Sequence, residues 1–419
     1  VRLIYTVLFW LGLPFMLARL LWRARFSRTY PYRFLERFGF CQKRLPHCIW
    51  LHAVSLGETI AAAPLIQELQ KEFPDENIVI TNTTATGMAR TIALFGDSVQ
   101  QICLPYDLPS MINRFLTRIN PRILIVMETE LWPNLFAECN RKNIPIVVAN
   151  ARLSEKSAHG YQRVAKLTYK MLNSISVLAA QAESDAQRFV QLGLPADRIN
   201  ITGSLKFDVN ISDNLISRGA ELRAILGVDR PIWLAASTHP GEDEIMLAAH
   251  RLLLQKIPNA LLILVPRHPE RFDAVANLIR QQNFKLVRRS KKTALEPTTT
   301  VYLADSIGEM MLLFAACDIA CVAGSFVPVG GHNIIEPAAL KKPVITGPIV
   351  FNFAEISATM VESRGMYQVK NSAELANLLI KFINDQEFAN VTGENAYSVV
   401  LKNRGALQRQ LAVIKQVLK

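Results

Sequence analysis

The sequence predicts an α/β protein of two doubly wound domains facing across a cleft, preceded by a membrane-associating helix. Three observations predict it. Short apolar runs alternate with amphipathic helical stretches, in two successive sets. Polar and Gly-rich loops stand where several of those runs end, and the first twenty-odd residues are apolar and close on a cluster of arginines. Length agrees, because 419 residues are more than one core usually serves.

Residues 3–18 carry no charge and include Tyr5, Phe9, Trp10 and Phe15; Arg19, Arg23, Arg25 and Arg28 follow. A straight span takes about 20 apolar residues, so this stretch is short unless Leu20, Leu21 and Trp22 extend it. Gly12 and Pro14 weaken a continuous helix. No small-residue cleavage site precedes the arginines, which argues against a cleaved signal peptide. Arginines on the far side put the body of the protein in the cytoplasm by the positive-inside rule. Residues 1–28 are therefore expected to be a marginal anchor with a basic flank. A buried N-terminal core helix, with Trp10 and Trp22 as core residues, is the other reading.

The first set of apolar runs covers 48–54, 77–81, 99–104, 123–127, 145–149, 176–180 and 199–202, with helical stretches such as 59–73, 108–119 and 131–142 between them. Apolar runs joined by helices mean crossover connections and a parallel sheet covered on both faces. The second set covers 231–236, 260–265, 300–303, 319–322 and 343–345, alternating with helices that open at Glu242, Arg271, Glu309 and Glu355. The polar segment 207–217 is the expected hinge, and the tail from about Ala373 reads as helix without strand signal. Two such domains put a cleft between facing strand C-termini, where ligands of doubly wound sheets bind.

Half the residues are apolar, a fifth are charged, and the formal net charge is +12. This is a globular composition whose charge favours anionic partners: nucleic acid, phosphates or the cytoplasmic leaflet. Six cysteines without a pairing pattern read as buried thiols of a reducing compartment, and Cys317 and Cys321 have no second pair to complete a metal site.

Four loops carry the candidate chemistry. In His52-Ala53-Val54-Ser55-Leu56-Gly57-Glu58 the glutamate falls at a helix start. It is either a dipole-stabilised N-terminal charge, which spacing alone slightly favours, or a general base. In Met127-Glu128-Thr129-Glu130 two carboxylates end a strand; either they pair and cap, or they act. Lys206 of Gly203-Ser204-Leu205-Lys206 is either a solvated lysine or a stabiliser of developing negative charge. In the second set, Ser237-Thr238-His239-Pro240-Gly241-Glu242 has the form of an anion-binding nest. Arg267 can fork onto phosphate. The Gly330-Gly331 turn leads into a helix whose Glu336 can hold ribose hydroxyls. No GxxxxGK phosphate loop, GxGxxG fingerprint after the first strand, HExxH or Asp-x-Asp occurs. No metal or cofactor is therefore expected; arginine, lysine and helix amides supply positive charge.

The motifs VSLGE, METELWPN, NARLSEKS, GSLKFD, LVPRHPERF and GGHNIIEP, in this order, closely resemble those of the bacterial Kdo transferases of glycosyltransferase family 30. The resemblance spans essentially the whole chain. It implies a GT-B fold, with an acceptor-binding Rossmann-like domain at 29–208 and a CMP-Kdo-binding one with a helical tail at 209–419. It implies inverting transfer of 3-deoxy-D-manno-oct-2-ulosonic acid (Kdo) from CMP-Kdo to the lipid A precursor, lipid IVA, in lipopolysaccharide core biosynthesis. On matching positions it implies Glu58 as catalytic base and Glu128 with Lys206 as transition-state stabilisers. CMP would be held by Pro266, Arg267, Ile307, Gly308, Glu309, Asn333, Ile334, Ile335 and Glu336. The expected location is the cytoplasmic face of the bacterial inner membrane, held by the single N-terminal anchor, with anionic lipids as partners.

Three rivals remain at this level. A basic nucleic-acid binder lacks a stripe of cations interleaved with aromatics, and strand-end carboxylates would repel phosphates, so no nucleic-acid partner is expected. A nucleotide-sugar epimerase shares the two-domain plan but needs no lipid or anchor. A non-catalytic membrane-surface binding protein has little use for Glu58 and Glu128 at strand ends.

Overall fold

A computed structural model describes residues 1–24, 33–41, 44–45, 47–291 and 293–418. Arg25 and Arg28 of the expected basic cluster, and the side chain of Arg23, lie outside the described residues. The chain divides into two units, Val1–Asp208 with Arg404–Lys419, and Val209–Asn403.

The first unit is built on seven parallel strands: β1 (Cys48–His52), β2 (Asn77–Asn82), β3 (Gln100–Cys103), β4 (Pro121–Met127), β5 (Ile146–Ala151), β6 (Val177–Ala180) and β7 (Ile199–Ile201). Their order is β3-β2-β1-β4-β5-β6-β7. Side chains alternate between two cores, as period-two geometry requires. Trp50, Leu124 and Val126 pack with Phe115 and Phe136 on one face; Ile49, Leu51, Ile123 and Ile125 pack with Leu65 and Leu69 on the other. β1 and β4 are neighbours, with His52 opposite Val126. The strand order reverses between them, which opens a crevice at their C-terminal ends.

The second unit repeats the plan with β8 (Ile232–Thr238), β9 (Leu261–Pro266), β10 (Leu286–Arg288), β11 (Val301–Leu303), β12 (Ile319–Val322), β13 (Val344–Thr346) and β14 (Met366–Gln368). The order is β10-β11-β9-β8-β12-β13-β14, and its reversal falls between β8 and β12. The edge strands β10 and β14 were not among the expected ones. Both are three residues long, and β10 is only half-buried, so neither leaves an apolar run.

The terminal helix Ala406–Leu418 was expected with the second domain; it packs in the first unit instead. Its Ala406, Leu411, Ile414 and Leu418 join the core of Ile49 and Leu65. The Asp208 carboxylate caps it, accepting from Gly405 N at 2.7 Å and Leu407 N at 2.6 Å. Gln410 binds both backbone ends of the neighbouring loops, accepting from Asn150 N at 3.0 Å and donating to the Gly203 carbonyl at 3.2 Å.

The N-terminal helix Arg2–Ala24 runs through Gly12 and Pro14. Its 19-residue stretch Arg2–Leu20 is long and apolar enough to cross a membrane by length and composition, and 6% of its most apolar window is buried. Most of its large side chains therefore face outward: Leu3, Leu8 and Phe15 are exposed, and so is Trp22. Leu13 is the buried exception, packed with Leu108 and Met111. Tyr5 donates to Asp107 at 3.0 Å and Thr6 to the Asn134 side chain at 3.1 Å, which ties the helix to the unit.

Candidate active site

In the first unit the candidate residues lie at the C-terminal ends of β1, β4 and β7. The helix Leu56–Glu72 leaves β1 after a short loop and carries Glu58 in its first turn. Ser55 caps that helix, accepting from Glu58 N at 3.3 Å while its hydroxyl donates to Glu58 Oε1 at 2.7 Å. Val54 N donates to Oε2 at 2.8 Å. This is a variant of the capping box, in which the glutamate reaches back to the N–H before the cap residue and to the cap hydroxyl, and it fixes the carboxylate at the strand end. A carboxylate has about four lone-pair sites, so two such bonds leave acceptor capacity on each oxygen. Burial raises the Glu58 carboxyl above its ordinary range, against the bonds from Ser55 and Val54, and the charge of Glu128 adds to the rise.

Glu128 follows β4 directly. Its N–H is held by the Ala149 carbonyl at 2.9 Å, and its left-handed backbone (φ 56°) turns the chain out of the sheet. That region is unfavourable for a side-chain-bearing residue by roughly 1–2 kcal/mol, so the turn is imposed by its surroundings. Glu130 accepts from the Trp132 indole at 3.2 Å. Burial, then the charge of Glu58, push its carboxyl up to about 7. The crevice between β1 and β4 thus gathers three carboxylates within electrostatic reach of one another: Glu58, Glu128 and Glu130.

Lys206 sits in the turn Leu205–Phe207 beyond β7. That turn packs against the helix carrying Glu58, with Leu205 in the same core as Ala62 and Leu65. Leu205 N is held by the Asn150 side chain at 3.0 Å. The lysine itself is half-buried.

In the second unit the candidates line the C-terminal ends of β9, β11 and β12. Arg267 follows Pro266 of β9, anchored by its N–H on the Thr238 carbonyl at 3.0 Å, with its side chain exposed. Asn333 donates to Glu336 Oε1 at 3.0 Å and accepts from Ile335 N at 3.1 Å. Ile334 and Ile335 are buried beneath them. Burial raises the Glu336 carboxyl, and the charge of Arg267 opposes the rise, which places the two within reach. The segment Ile307-Gly308-Glu309 lies on the same sheet edge but is differently engaged. Ile307 is exposed, Gly308 takes a left-handed turn (φ 83°), and Glu309 forks with Arg289 at 2.5 and 2.6 Å. That ion pair holds the Glu309 carboxyl down to about 2.

Three features were missed from sequence. The fully buried Glu242 carboxylate accepts from His239 N at 2.9 Å, Gly324 N at 2.8 Å, and Ser325 and Phe326 N at 3.0 Å each. The amides after β12 that invite an anion are thus filled by the protein's own glutamate. His239 and His332 meet Nε2 to Nε2 at 2.8 Å with stacked rings, one donating to the other, and His268 packs edge-on at 5.3 Å. Burial, with the charge of Arg267, lowers the His332 imidazole to about 4. His239 and His268 come just after strands, which was the available signal; His332 lies further along the loop after β12. Asp107 accepts from Asn134 N at 3.0 Å and Leu135 N at 2.7 Å, capping a helix far along the chain that no local pattern links to it.

The family model for 3-deoxy-D-manno-octulosonic-acid transferase (kdotransferase) matches residues 32–209, and that for glycosyl transferases group 1 matches 229–399. A 3-deoxy-D-manno-octulosonic acid transferase of Haemophilus influenzae is 45% identical, over 100% of this chain and 99% of its own. The transferase of Bordetella pertussis is 34% identical over 90% of each chain. A probable mitochondrial one of Arabidopsis thaliana is 32% identical over 89% of this chain and 86% of its own. Among solved structures, UDP-GlcNAc 2-epimerase of Neisseria meningitidis superposes at TM-score 0.60 with 16% identity, covering 89% and 99%. Anabaena HepE with UDP superposes at 0.59 with 17% identity, covering 88% and 99%. These two show the fold, GT-B, and nothing of the chemistry.

Proposed function

Because the chain belongs to the Kdo transferase family and is a glycosyltransferase, we propose that it moves Kdo from CMP-Kdo to the lipid A precursor, lipid IVA, at the cytoplasmic face of the inner membrane. The acceptor-binding part is residues 29–208 and the donor-binding part begins at 209.

Glu58 is the general base. It takes the proton of an acceptor hydroxyl as that oxygen bonds to the Kdo anomeric carbon, while the bond from that carbon to the CMP phosphate oxygen breaks and CMP leaves. A single displacement inverts the centre. The observation that carries this reading is the Glu58 carboxylate, held by Ser55 and Val54 at the crevice between β1 and β4 with acceptor capacity left on each oxygen. Burial makes it a stronger base than a solvated glutamate.

Glu128 supports positive charge growing on the sugar ring, and Lys206 supports negative charge on the departing phosphate. Arg267 takes the CMP phosphate with Pro266 beside it, Asn333 to Glu336 hold the ribose, and Ile307 to Glu309 border the base. Phosphate is already a fair leaving group when a cation faces it, so the reaction proceeds without a metal. The N-terminal helix is the anchor, supported by its exposed apolar side chains.

The test is transfer from CMP-Kdo to purified tetraacylated lipid A precursor, with and without a chelator, read by product mass. Mass added in Kdo units, undiminished by chelator, is expected. No product from folded, detergent-solubilised protein contradicts the donor–acceptor assignment.

A further inference from the structure

The first unit has a second polar concavity, at the N-terminal ends of its strands. It is a groove of about 920 Å³, bounded by Arg44, Leu45 and His47 before β1, the ends of the helices Pro109–Ile119 and Pro133–Arg141, and the start of β4. β4 runs about 20 Å from Pro121 to Met127, so the groove lies at the opposite end of the sheet from Glu128. It does not belong to the transfer site.

Its lining is cationic: Arg44, Arg118, Arg122 and Lys142 all face it, and no carboxylate does among the described residues that line it. Glu76 engages Arg122 at 2.5 Å. Among the described residues Arg44, Arg118 and Lys142 form no ion pair, and Lys142 reaches only the Thr117 hydroxyl at 3.3 Å.

Part of this charge has a local explanation. Arg118 and Lys142 stand at helix C-termini, where a cation is favoured by roughly 0.3–1 kcal/mol. Asn120 and Asn143 take the left-handed conformation (φ 40° and 57°) that ends such helices. Arg122 has its own partners, Glu76 and the Leu418 carbonyl at 3.0 Å, but neither fact accounts for Arg44, which arrives from the segment before β1. Arg44, Arg118 and Lys142, three like charges without an ion pair among the described residues, meet on one concave surface and repel one another, and a bound anion relieves that repulsion. The volume exceeds that of a bare oxyanion, and two asparagine amides stand beside the cations as donors for hydroxyls.

We propose that this groove is a binding site for a phosphate ester carried on a polyol, its phosphate forked by Arg44 and Arg118. Such a group comes either from a soluble sugar or glycerol phosphate, or from an anionic phospholipid headgroup. The proposal is independent of the assigned transfer reaction.

The full-length protein in detergent is titrated with glycerol 3-phosphate, and separately co-sedimented with phosphatidylglycerol-containing vesicles and with pure phosphatidylcholine vesicles. The same is done for the double variants Arg44→Ala/Arg118→Ala and Arg44→Lys/Arg118→Lys, each checked for an unchanged unfolding temperature. The alanine variant is expected to bind about tenfold more weakly or worse, and the lysine variant in between, since it keeps charge without the fork. Loss in the glycerol phosphate titration identifies the soluble source. Loss confined to the phosphatidylglycerol vesicles, with phosphatidylcholine binding through the N-terminal helix unchanged, identifies the headgroup. Wild-type binding of both probes by a folded alanine variant, or no binding of either by the wild type, overturns the proposal.

Discussion

Ser55 and Glu58 bond each other in both directions: the serine oxygen caps the glutamate's N–H at 3.3 Å, and its hydroxyl returns to Oε1 at 2.7 Å. One pair of residues therefore starts a helix and aims a carboxylate. Cap and base, which sequence spacing sets against each other, are compatible roles for Glu58.

Ser55→Ala separates them. The Ser55 hydrogen bond holds the Glu58 carboxyl down against burial, so its loss raises that carboxyl further. The acidic limb of the pH–rate profile is expected to move to higher pH. Loss of the cap also destabilises the protein by about 1 kcal/mol. A lower unfolding temperature with an unmoved acidic limb would separate Glu58 from the rate.

Glu130 makes stability depend on pH in the less common direction. Its folded carboxyl is raised from 4.5 to about 7, so the native state binds more protons than the unfolded chain in that window. Its contribution is fully present below about pH 4.5 and is lost as pH rises through about 7. Glu130→Gln, which mimics the protonated form, is expected to raise the unfolding temperature at pH 8 but not at pH 4. Solvent screening limits the size of the effect. An equal shift at both pH values contradicts this.

Asp107 joins the N-terminal helix to the helix Pro133–Arg141 of the same unit. Asp107→Ala strands the N–H groups of Asn134 and Leu135, each at about 1–3 kcal/mol, together with the Tyr5 hydroxyl. Tyr5→Phe removes only the last bond. Thermal unfolding is expected to show the alanine variant several degrees below Tyr5→Phe; similar values would mean that the helix Pro133–Arg141 does not depend on this cap.

Arg267 is the exposed cation beside Glu336 and His332. Arg267→Ala is expected to weaken CMP binding by roughly 10- to 100-fold, the worth of a charge-assisted bond to phosphate. Calorimetric titration with CMP reads this directly, and an unchanged Kd removes Arg267 from the donor site.

Much of the fold is legible because buried parallel strands write themselves as apolar runs; Ile123 to Met127 is one such run, buried throughout. β10 is not legible, since its Leu286, Val287 and Arg288 are each only half-buried. The place of the terminal helix is not legible either. An amphipathic stripe says that one face is buried and not which core buries it. Strand-end positions of Glu58, Glu128 and Arg267 follow from local pattern. Their partners do not: Glu242 meets amides 82–84 residues away, and Asp107 caps a helix 27 residues on. Such contacts depend on the packing of the whole unit. The start of the loop after β12, at Gly324 to Phe326, thus holds a glutamate that no local pattern announces.

Glu58→Gln tests the role of Glu58 as base with little change of shape. Steady-state transfer and CMP affinity are measured on the same preparation. Transfer is expected to be slower by about 10²–10⁴-fold with CMP affinity unchanged, because a general base acts in the transition state and not on the donor. A glutamine variant that transfers Kdo at close to the wild-type rate contradicts it.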